Sequence, residues 1–558
     1  MKEMSDQERT VIFIVLAMLI FFTWSHFFMP NAPPPQGPGQ TAAPVAPAQG
    51  SATSQASTTT GNAAAAPSQI PVIQASQEKT IVVESPLYRV ELSSRGGVVH
   101  SWKLKNYLDD QTPPHPLDLV NQGAAQQLGW PFSLMLSDLQ LEAEADSGLY
   151  DVSPAADHFD APAEITFHWS DGHLDVSKKL RFTEDYQLSV EVSASLDGKP
   201  LSSALAWRGG FGDRAVYKAP QLVGVFYKLN GKLTVLQYKK LGVSNSQSQP
   251  LLQPGPMEFL GIEDQFFTAA FIPDGTDLSL WDWTQYQGGD PEAEMAAGTP
   301  TAAPLRMRLY IGPKDLALLG KEHPSLEELV NFGWTGIIAK PMLFAIQWLH
   351  KYVPNWGWAI VVFTLALTMA LLPIRIWTFR SARKMQSVAP EIKSIQDRYK
   401  KYSLTDPRKR KMNEEVMAVY QREGINPMGA CLPMLAQIPI LYAFYRMLTG
   451  AIELRHAPWI GWVHDLSAMD PYYILPISMT ITMYLMTKTT PQTTVDPTQQ
   501  KMMAFMPLFM FFIFYKLSSG LNLYMFTSNL VGIGQQWYLN RTEPLPSRSK
   551  FKKKTEPA

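Results

Sequence analysis

The feature that most constrains this chain is a long basic segment, residues 377–424, that lies between two strongly apolar stretches. Apolar sequence at 356–374 leads into it, and apolar sequence resumes at 428–449. Short loops rich in lysine and arginine remain on the cytoplasmic side of a membrane. We therefore predict a membrane protein whose basic segment is cytoplasmic.

Within the basic segment, apolar residues recur at spacings of three and four, which is typical of helices that pack along a seam. The first seam comprises Met385, Val388, Ile392, Ile395, Tyr399 and Tyr402, and the second comprises Met412, Val416 and Val419. Between them, Asp406 and Pro407 suit a helix N-cap and a first helical position. We predict an antiparallel helical hairpin. A solvated charged loop is the alternative, because a two-helix hairpin of this size is marginal alone.

The first 320 residues comprise three segments of different character. Residues 1–29 combine early cations with an apolar run and predict an N-terminal anchor helix, with a cleaved signal peptide as the alternative. Residues 30–78, rich in Pro, Ala, Gln, Ser and Thr, predict a disordered tether. Alternating sequence then predicts an antiparallel β-sandwich over 79–320. Cys431 is the only cysteine, so no intrachain disulfide framework is possible.

The second half is predicted to be a membrane bundle. Ser325 and the acids after it predict an interfacial amphipathic helix over 325–350. The five spans of a core over 356–539 are predicted at 356–374, 428–449, 471–487, 502–517 and 521–539, followed by a basic tail at 540–558. With the anchor this makes an α-helical bundle of six spans. Charge bias places both termini in the cytoplasm.

Polar residues recur at depth within these apolar spans. They are Thr364, Thr368, Gln437, Asn522, Thr527, Ser528 and Asn529. Together they predict a partly wet interior, and ordinary hydrogen bonding between helices is the alternative for any one of them. In the β domain, histidines and aspartates such as His100, Asp157 and His158 have no metal-ligand or catalytic spacing. We expect neither a metal nor a cofactor, and no catalysis.

Six motifs in fixed order then point to a known family. They are Asn331-Phe332-Gly333-Trp334, Asn355-Trp356-Gly357-Trp358, Asn426-Pro427-Met428-Gly429, His464-Asp465-Leu466-Ser467, Asp470-Pro471-Tyr472-Tyr473 and Ser519-Gly520-Leu521-Asn522. They resemble the YidC-type membrane protein insertases of Gram-negative bacteria, in the form with a large periplasmic domain. The resemblance covers essentially the whole chain.

The resemblance implies a function without enzymatic activity. Hydrophobic segments of nascent membrane proteins would enter a polar groove and leave it laterally into the phospholipid bilayer of the inner membrane, alone or with the Sec translocon. The β domain would be periplasmic, and the basic tail and hairpin would contact the ribosome. The hairpin would also recruit clients, through Arg383, Lys384, Arg408, Lys409 and Arg410.

Two positions depart from the family pattern. Relatives commonly carry an arginine in the groove five residues before a proline, here Pro373, where this chain has Thr368. Relatives often have two successive tyrosines in the last span, where this chain has Tyr524 and Met525. The substrate-binding candidates are Thr364, Thr368, Gln437, Tyr524, Met525 and Arg446. Arg375 and Arg446 lie at other depths, and we expect their side chains to extend toward an interface, with a groove-facing Arg446 as the alternative.

Two other functions remain open from the residues alone. A solute transporter or channel would also be a polytopic bundle, but the core spans have neither an evident inverted repeat nor a pair of acidic residues suited to ion coupling. An anchored glycan-binding protein would need one span, which leaves the other five and the hairpin without a purpose.

Overall fold

The structure is a computed structural model that describes residues 70–213, 223–243, 250–253, 255–287, 290–402, 406–425, 432–490 and 497–542. The chain divides into two compact units at the Pro313–Lys314 boundary, seven residues short of the predicted limit of 320. The first is a β-rich unit and the second is a helical unit. The predicted anchor, the tether up to residue 69 and the tail from residue 543 lie outside the described residues.

The β-rich unit is built from short strands with two small helices between them. In chain order the strands are β1 Thr80–Glu84, β2 Tyr88–Ser93, β3 Val98–Leu108, β4 Pro116–Asp118, β5 Ser133–Met135, β6 Asp151–Ser153, β7 His158–Asp160, β8 Ala163–Ser170, β9 Leu174–Phe182, β10 Gln187–Leu196, β11 Lys199–Pro200, β12 Ala204–Trp207, β13 Gly224–Leu229, β14 Lys232–Gln237, β15 Gly242–Val243, β16 Leu251–Gln253, β17 Phe259–Glu263, β18 Phe267–Pro273, β19 Ser279–Gln287, β20 Asp290–Gly298 and β21 Leu305–Pro313. The helices are α1 Gln122–Leu128 and α2 Leu139–Ser147.

These strands form three sheets. The sheet orders are β4-β3-β2-β1-β7, then β14-β13-β17-β18-β21-β10-β9-β8-β6 with β11 on β10, and β15-β19-β20-β12-β5 with β16 on β19. Pairing among the described strands is antiparallel, as predicted, except for the parallel pairs β1–β7 and β15–β19. Strand β9 alternates buried residues with half-buried or exposed ones, whereas β17 is buried throughout because both of its faces are covered.

A lysine side chain lies wholly inside the β-rich unit. Lys178, on β9, is 1% exposed, and its Nζ donates to the carbonyls of Gly96, Phe132 and Gly97 at 2.6, 2.8 and 3.3 Å. Burial lowers the pKa of the Lys178 ammonium to about 8, and the nearby Asp146 carboxylate opposes that shift. The three N–H donors of the ammonium are thereby matched by three carbonyls, as a buried cation requires.

The ordered β-rich unit begins earlier than predicted. The composition predicts a disordered tether over residues 70–78, yet Ile73 and Ser170 exchange two backbone hydrogen bonds of 2.9 Å. The Glu78 carboxylate also accepts from Ser93 Oγ at 2.7 Å and Arg95 Nε at 2.9 Å. These partners lie far away in sequence, so local composition did not reveal them.

The helical unit contains the remaining α-helices of the described chain. They are α3 Leu316–Leu319, α4 Gly336–His350, α5 Trp356–Ala370, α6 Leu372–Arg398, α7 Pro407–Arg422, α8 Leu432–Gly450, α9 Ile474–Thr489, α10 Pro497–Phe514 and α11 Ser519–Thr542. Pro373 lies in the first turn of α6, directly after the break that ends α5. In the described part of the chain no single helix has both the length and the hydropathy of a membrane span, while α5 and α6, bent by 55° at their junction, satisfy both together.

The predicted interfacial helix over 325–350 is shorter in the structure. Only Gly336–His350 is α-helical, preceded by 3₁₀ turns at Glu327–Leu329 and Gly333–Thr335. The Asn331 side chain accepts from the Gly333 N–H at 2.7 Å, and Gly333 has a φ of +61°, in the left-handed region that stops a right-handed helix.

Candidate functional site

Three helices of the helical unit meet through stacked aromatic rings. Phe363 on α5 stacks on Phe444 on α8 with ring centroids 6.0 Å apart, and Phe444 stacks on Tyr524 on α11 at 4.1 Å. Tyr524 is 3% exposed. The stack therefore brings the predicted site residue Tyr524 next to α5, which carries Thr364. Sequence reasoning missed Phe363 and Phe444, since nothing distinguishes them from other apolar residues in a span.

The two threonines of α5 bond to their own helix. Thr364 is fully buried and its Oγ1 donates to the Ile360 carbonyl at 2.7 Å. Thr368 is half-buried and its Oγ1 lies 2.8 Å from the Thr364 carbonyl. Each hydroxyl proton is thus committed, and what the side chains can offer a polar group is an acceptor oxygen.

Helix α11 buries polar residues along most of its length. Those below 9% exposure are Ser519, Asn522, Thr527, Ser528, Asn529, Gln535 and Gln536. Asn529 Nδ2 lies 3.4 Å from both the Met479 carbonyl and Thr482 Oγ1 of α9, and Gln535 Nε2 lies 3.4 Å from the Thr368 carbonyl of α5. Five of the buried polar residues, Asn522, Ser528, Asn529, Gln535 and Gln536, lie on one side of the helix, and we call this row of residues the α11 polar face. It joins α11 to α5 and α9 by polar contacts.

Arg375, on the first turns of α6, also reaches the α11 polar face. Its Nη1 donates to Gln535 Oε1 at 2.7 Å, and its Nη2 lies 4.0 Å from Met486 Sδ of α9. Gly532 provides the space, since a Cβ there would lie 2.8 Å from both Nη atoms. We expected this side chain to extend to an interface; instead it packs between helices.

The remaining substrate-binding candidates are less closely grouped. Arg446 donates through Nη2 to the Asn331 carbonyl, so its guanidinium contacts the segment before α4. Met525 is half-buried and follows Tyr524 on α11. Gln437 belongs to α8, and its side chain lies outside the described part of the structure.

The predicted seam of the basic segment is an apolar cluster between α6 and α7. Its buried members are Met385, Val388, Ile392, Ile395, Val419 and Ile425, and Tyr399, Met412, Val416 and Tyr420 pack against them. Asp406 caps α7 by accepting from the Arg408 N–H at 2.9 Å, with Pro407 next in the chain. The predicted cap is confirmed.

The five basic residues predicted to recruit clients differ in their exposure and in the hydrogen bonds and ion pairs that their side chains form. Arg383 donates to Asn540 Oδ1 of α11 at 2.8 Å, which ties α6 to α11. Arg408 forms an ion pair with Asp406 at 2.9 Å, and its hydrogen bonds lower the pKa of that carboxyl. Arg410 pairs with Glu414 at 3.3 Å. Lys384 is exposed and Lys409 is half-buried.

Comparison with known families covers both units. A family model described as the 60Kd inner membrane protein matches residues 348–546, and one described as the YidC periplasmic domain matches residues 80–345. The membrane protein insertase YidC of Methylobacillus flagellatus is 30% identical over 555 residues, covering 96% of this chain and 97% of the relative. That of Wolinella succinogenes is 32% identical over 548 residues, covering 96% and 95%.

Among solved structures, one described as "Active YidC insertase crystal structure with the first transmembrane domain resolved" is similar to this chain. Its TM-score is 0.36 and its sequence identity is 18%, and the match covers 85% of this chain and 95% of that chain. The β-rich unit, the helical unit and the family matches together define an inner-membrane protein with a helical core and a periplasmic β-rich domain. More particularly, the chain belongs to the YidC family of membrane protein insertases. The predicted resemblance is confirmed.

Membership establishes the function. The protein inserts other membrane proteins into the inner membrane, so its substrates are nascent membrane proteins and its surroundings are a lipid bilayer. Its family is not a family of enzymes. The β-rich unit is the periplasmic domain.

Proposed function

We propose that clients pass along the α11 polar face beside the aromatic stack of Phe363, Phe444 and Tyr524, and leave laterally into lipid. The observation that carries this proposal is the row of buried polar side chains on α11, within a helical unit whose outward surface is apolar. A polar flank of a client can exchange hydrogen bonds with such a row, whereas hydrocarbon offers none. In this proposal Tyr524, Met525, Thr364, Thr368 and Gln437 line the path.

Short helices support the same path. Helices α5 and α9 have 15 and 16 residues, whereas a hydrocarbon core of about 30 Å needs about 20. Helices this short favour a locally thinned bilayer, which shortens the distance that a client's polar flank must cross. We also propose the six-span topology, with both termini in the cytoplasm, and the sandwich arrangement of the periplasmic domain.

The basic segment is proposed as the cytoplasmic recruiting element. Lysines 384 and 409 and Arg410 are the members of the predicted set that are not tied to α11 or to the α7 cap, and they suit contacts with ribosomal RNA or acidic clients. Cooperation with the Sec translocon and contact between the ribosome and the tail at 540–558 belong to this proposal as well. Arg446 is proposed to brace the segment before α4.

A photo-crosslinking residue at Met525 tests the path. Met525 follows Tyr524 and is less enclosed, so a probe there disturbs the stack less than a probe at Thr364 or Tyr524. We expect adducts with a stalled ribosome-bound chain that carries one short transmembrane segment. The matched control is Leu530, on the same helix and 47% exposed, which faces away from the polar row. Adducts at Leu530 but not at Met525 would contradict the path.

A further inference from the structure

A small cavity lies where the last turns of α9 meet the first turns of α10. Its volume is about 130 Å³, and it is lined by Tyr484, Thr487, Lys488, Gln500, Met503 and Ala504. A cavity of this volume holds several water molecules, so a phosphate group fits inside it. None of the lining residues belongs to the α11 polar face or to the aromatic stack, so the cavity is separate from the proposed client path.

The lining of the cavity contains one charged side chain, Lys488. Its Nζ lies 4.8 Å from the centroid of the Tyr484 ring, and it forms no ion pair within the part of the chain that the structure describes. The Thr487 hydroxyl donates to the Met483 carbonyl at 2.9 Å, so what it offers the cavity is an acceptor oxygen. The groups that can donate to a ligand are the Lys488 ammonium, the Gln500 amide and the Tyr484 hydroxyl, and this set suits an anion.

Apolar side chains continue from the cavity along both helices. Ile481 lies one turn before Tyr484 on the same face of α9, and Leu508 lies one turn after Ala504 on the same face of α10. These two side chains are 54% and 53% exposed, and in a bilayer such exposed apolar groups lie against acyl chains. A ligand that occupies both the cavity and this surface has an anionic head and an apolar tail.

Aromatic and basic side chains at the same end of the bundle indicate the level of the lipid headgroups. The Asn540 amide of α11 donates to the Thr489 carbonyl at 3.2 Å, so the end of α11 lies beside the end of α9. The Arg541 Cζ lies 3.9 Å from the centroid of the Trp537 ring, and Trp537 is exposed. Tryptophan and tyrosine concentrate at the membrane–water interface, and long basic side chains extend toward it. We therefore expect Lys488 at the height of lipid phosphates.

We propose that Lys488, Tyr484 and Gln500 bind the phosphate of an anionic phospholipid whose acyl chains lie against Ile481 and Leu508. A cation near the membrane surface attracts an anionic lipid, whereas the headgroup of a zwitterionic lipid carries a positive charge that opposes the attraction. The bound lipid joins the ends of α9 and α10. The inference goes beyond the proposed client path and uses none of its residues, so either can fail without the other.

The test is native mass spectrometry of the full chain in detergent with equal amounts of phosphatidylglycerol and phosphatidylcholine that have the same acyl chains. Wild type should retain phosphatidylglycerol preferentially. Lys488→Gln should lower the ratio of retained phosphatidylglycerol to phosphatidylcholine roughly fivefold, the size expected for one cation at an anionic surface. The matched control is Lys516→Gln, because Lys516 Nζ also lies over a tyrosine ring, 5.5 Å from the Tyr515 centroid beyond the other end of α10, but does not line the cavity. This control should keep the wild-type ratio.

A second variant fills the cavity without changing its charge. Ala504 lines the cavity, so Ala504→Leu should reduce the retention of phosphatidylglycerol although Lys488 remains. The matched control is Ala366→Leu, the same change at an exposed position of α5, which should retain as much phosphatidylglycerol as wild type. Equal ratios for Lys488→Gln and Lys516→Gln would overturn the proposal, because they would show that net charge alone attracts the lipid. Unchanged retention in Ala504→Leu would also overturn it, because the ligand would then lie outside the cavity.

Excess glycerol phosphate distinguishes a lipid from a free phosphate as the ligand, because it carries a phosphate on glycerol without acyl chains. The wild-type ratio should persist in its presence, since Ile481 and Leu508 add apolar contacts that only the lipid can make. Displacement of phosphatidylglycerol by glycerol phosphate would assign the cavity to a free anion and overturn the lipid assignment.

Discussion

Removing the buried Lys178 ammonium is expected to change how the stability of the periplasmic domain depends on pH. Burial lowers the pKa of Lys178 from 10.5 to about 8 in the folded domain. Between these values the unfolded chain holds a proton that the folded domain has released, so the free energy of unfolding rises with pH. Below pH 8 both states hold the proton, and above 10.5 neither does. The lysine therefore contributes no slope outside that window.

The size of the effect follows from the two pKa values. A difference of 2.5 between 10.5 and about 8 corresponds to about 3 kcal/mol, at about 1.4 kcal/mol for each pH unit. Lys178→Met should remove this rise. The effect of Lys178→Met on the free energy of unfolding at neutral pH is less informative, because two changes oppose each other. The three carbonyls left without donors cost about 1 kcal/mol or more each, whereas the cost of burying the charge disappears. The slope, not the absolute stability, is the diagnostic quantity.

Urea unfolding of residues 70–313, followed by tryptophan fluorescence at several pH values from 7 to 10.5, measures that slope. The control is Lys179→Met: Lys179 is the next residue on β9, and it pairs with Glu164 at 2.6 Å on the opposite face. It should keep the wild-type slope. Equal slopes for Lys178→Met and wild type, with unchanged m-values, would refute the reasoning, because they would mean that the three carbonyls offset the loss of hydration.

Three further predictions concern the helical unit. Ile392→Ala removes a side chain that is 2% exposed in the seam and should cost about 2 to 5 kcal/mol, detected as faster proteolysis between α6 and α7, whereas Ser394→Ala should not. Tyr524→Ala should lower both insertion and thermal stability in detergent, while Tyr524→Phe keeps the ring on Phe444 and should retain both; a loss in Tyr524→Phe would assign the role to the hydroxyl. Thr368→Arg should be tolerated and should improve insertion of clients with acidic tails; a variant that folds and reaches the membrane but no longer inserts clients would show that position 368 does not lie in the client path.

Features carried by local periodicity could be predicted from the sequence. The seam residues of α6 and α7 recur at helical spacing, and Asp406 with Pro407 has the composition of a helix start, so the cluster and the cap follow from the pattern. Strand alternation in β9 is read equally directly. Each of these signals lies within one helix, one turn or one strand.

Features that depend on distant partners could not be predicted. Ile73 is held by Ser170, almost a hundred residues away, so composition alone assigned residues 70–78 to a tether. The cap pattern at Ser325 predicts that the interfacial helix begins there, yet the hydrogen bond between the Asn331 side chain and the Gly333 N–H forms a tighter turn, and the α-helix begins only at Gly336. In both cases a specific hydrogen bond overrides the local preference.

The placement of Arg375 combines both kinds of information. Alignment by motif showed that the chain has Thr368 where relatives commonly have an arginine, and depth along the helix argued that Arg375 was too far away to replace it. The bend of 55° between α5 and α6 changes that argument, because a residue after the bend is not carried straight along the axis of α5. The side chain instead reaches Gln535, whose amide lies at the Thr368 carbonyl. Distance along a helix therefore measures depth within the helical core only while the helix is straight. Beyond the bend near Pro373, the number of residues along the chain no longer gives that depth.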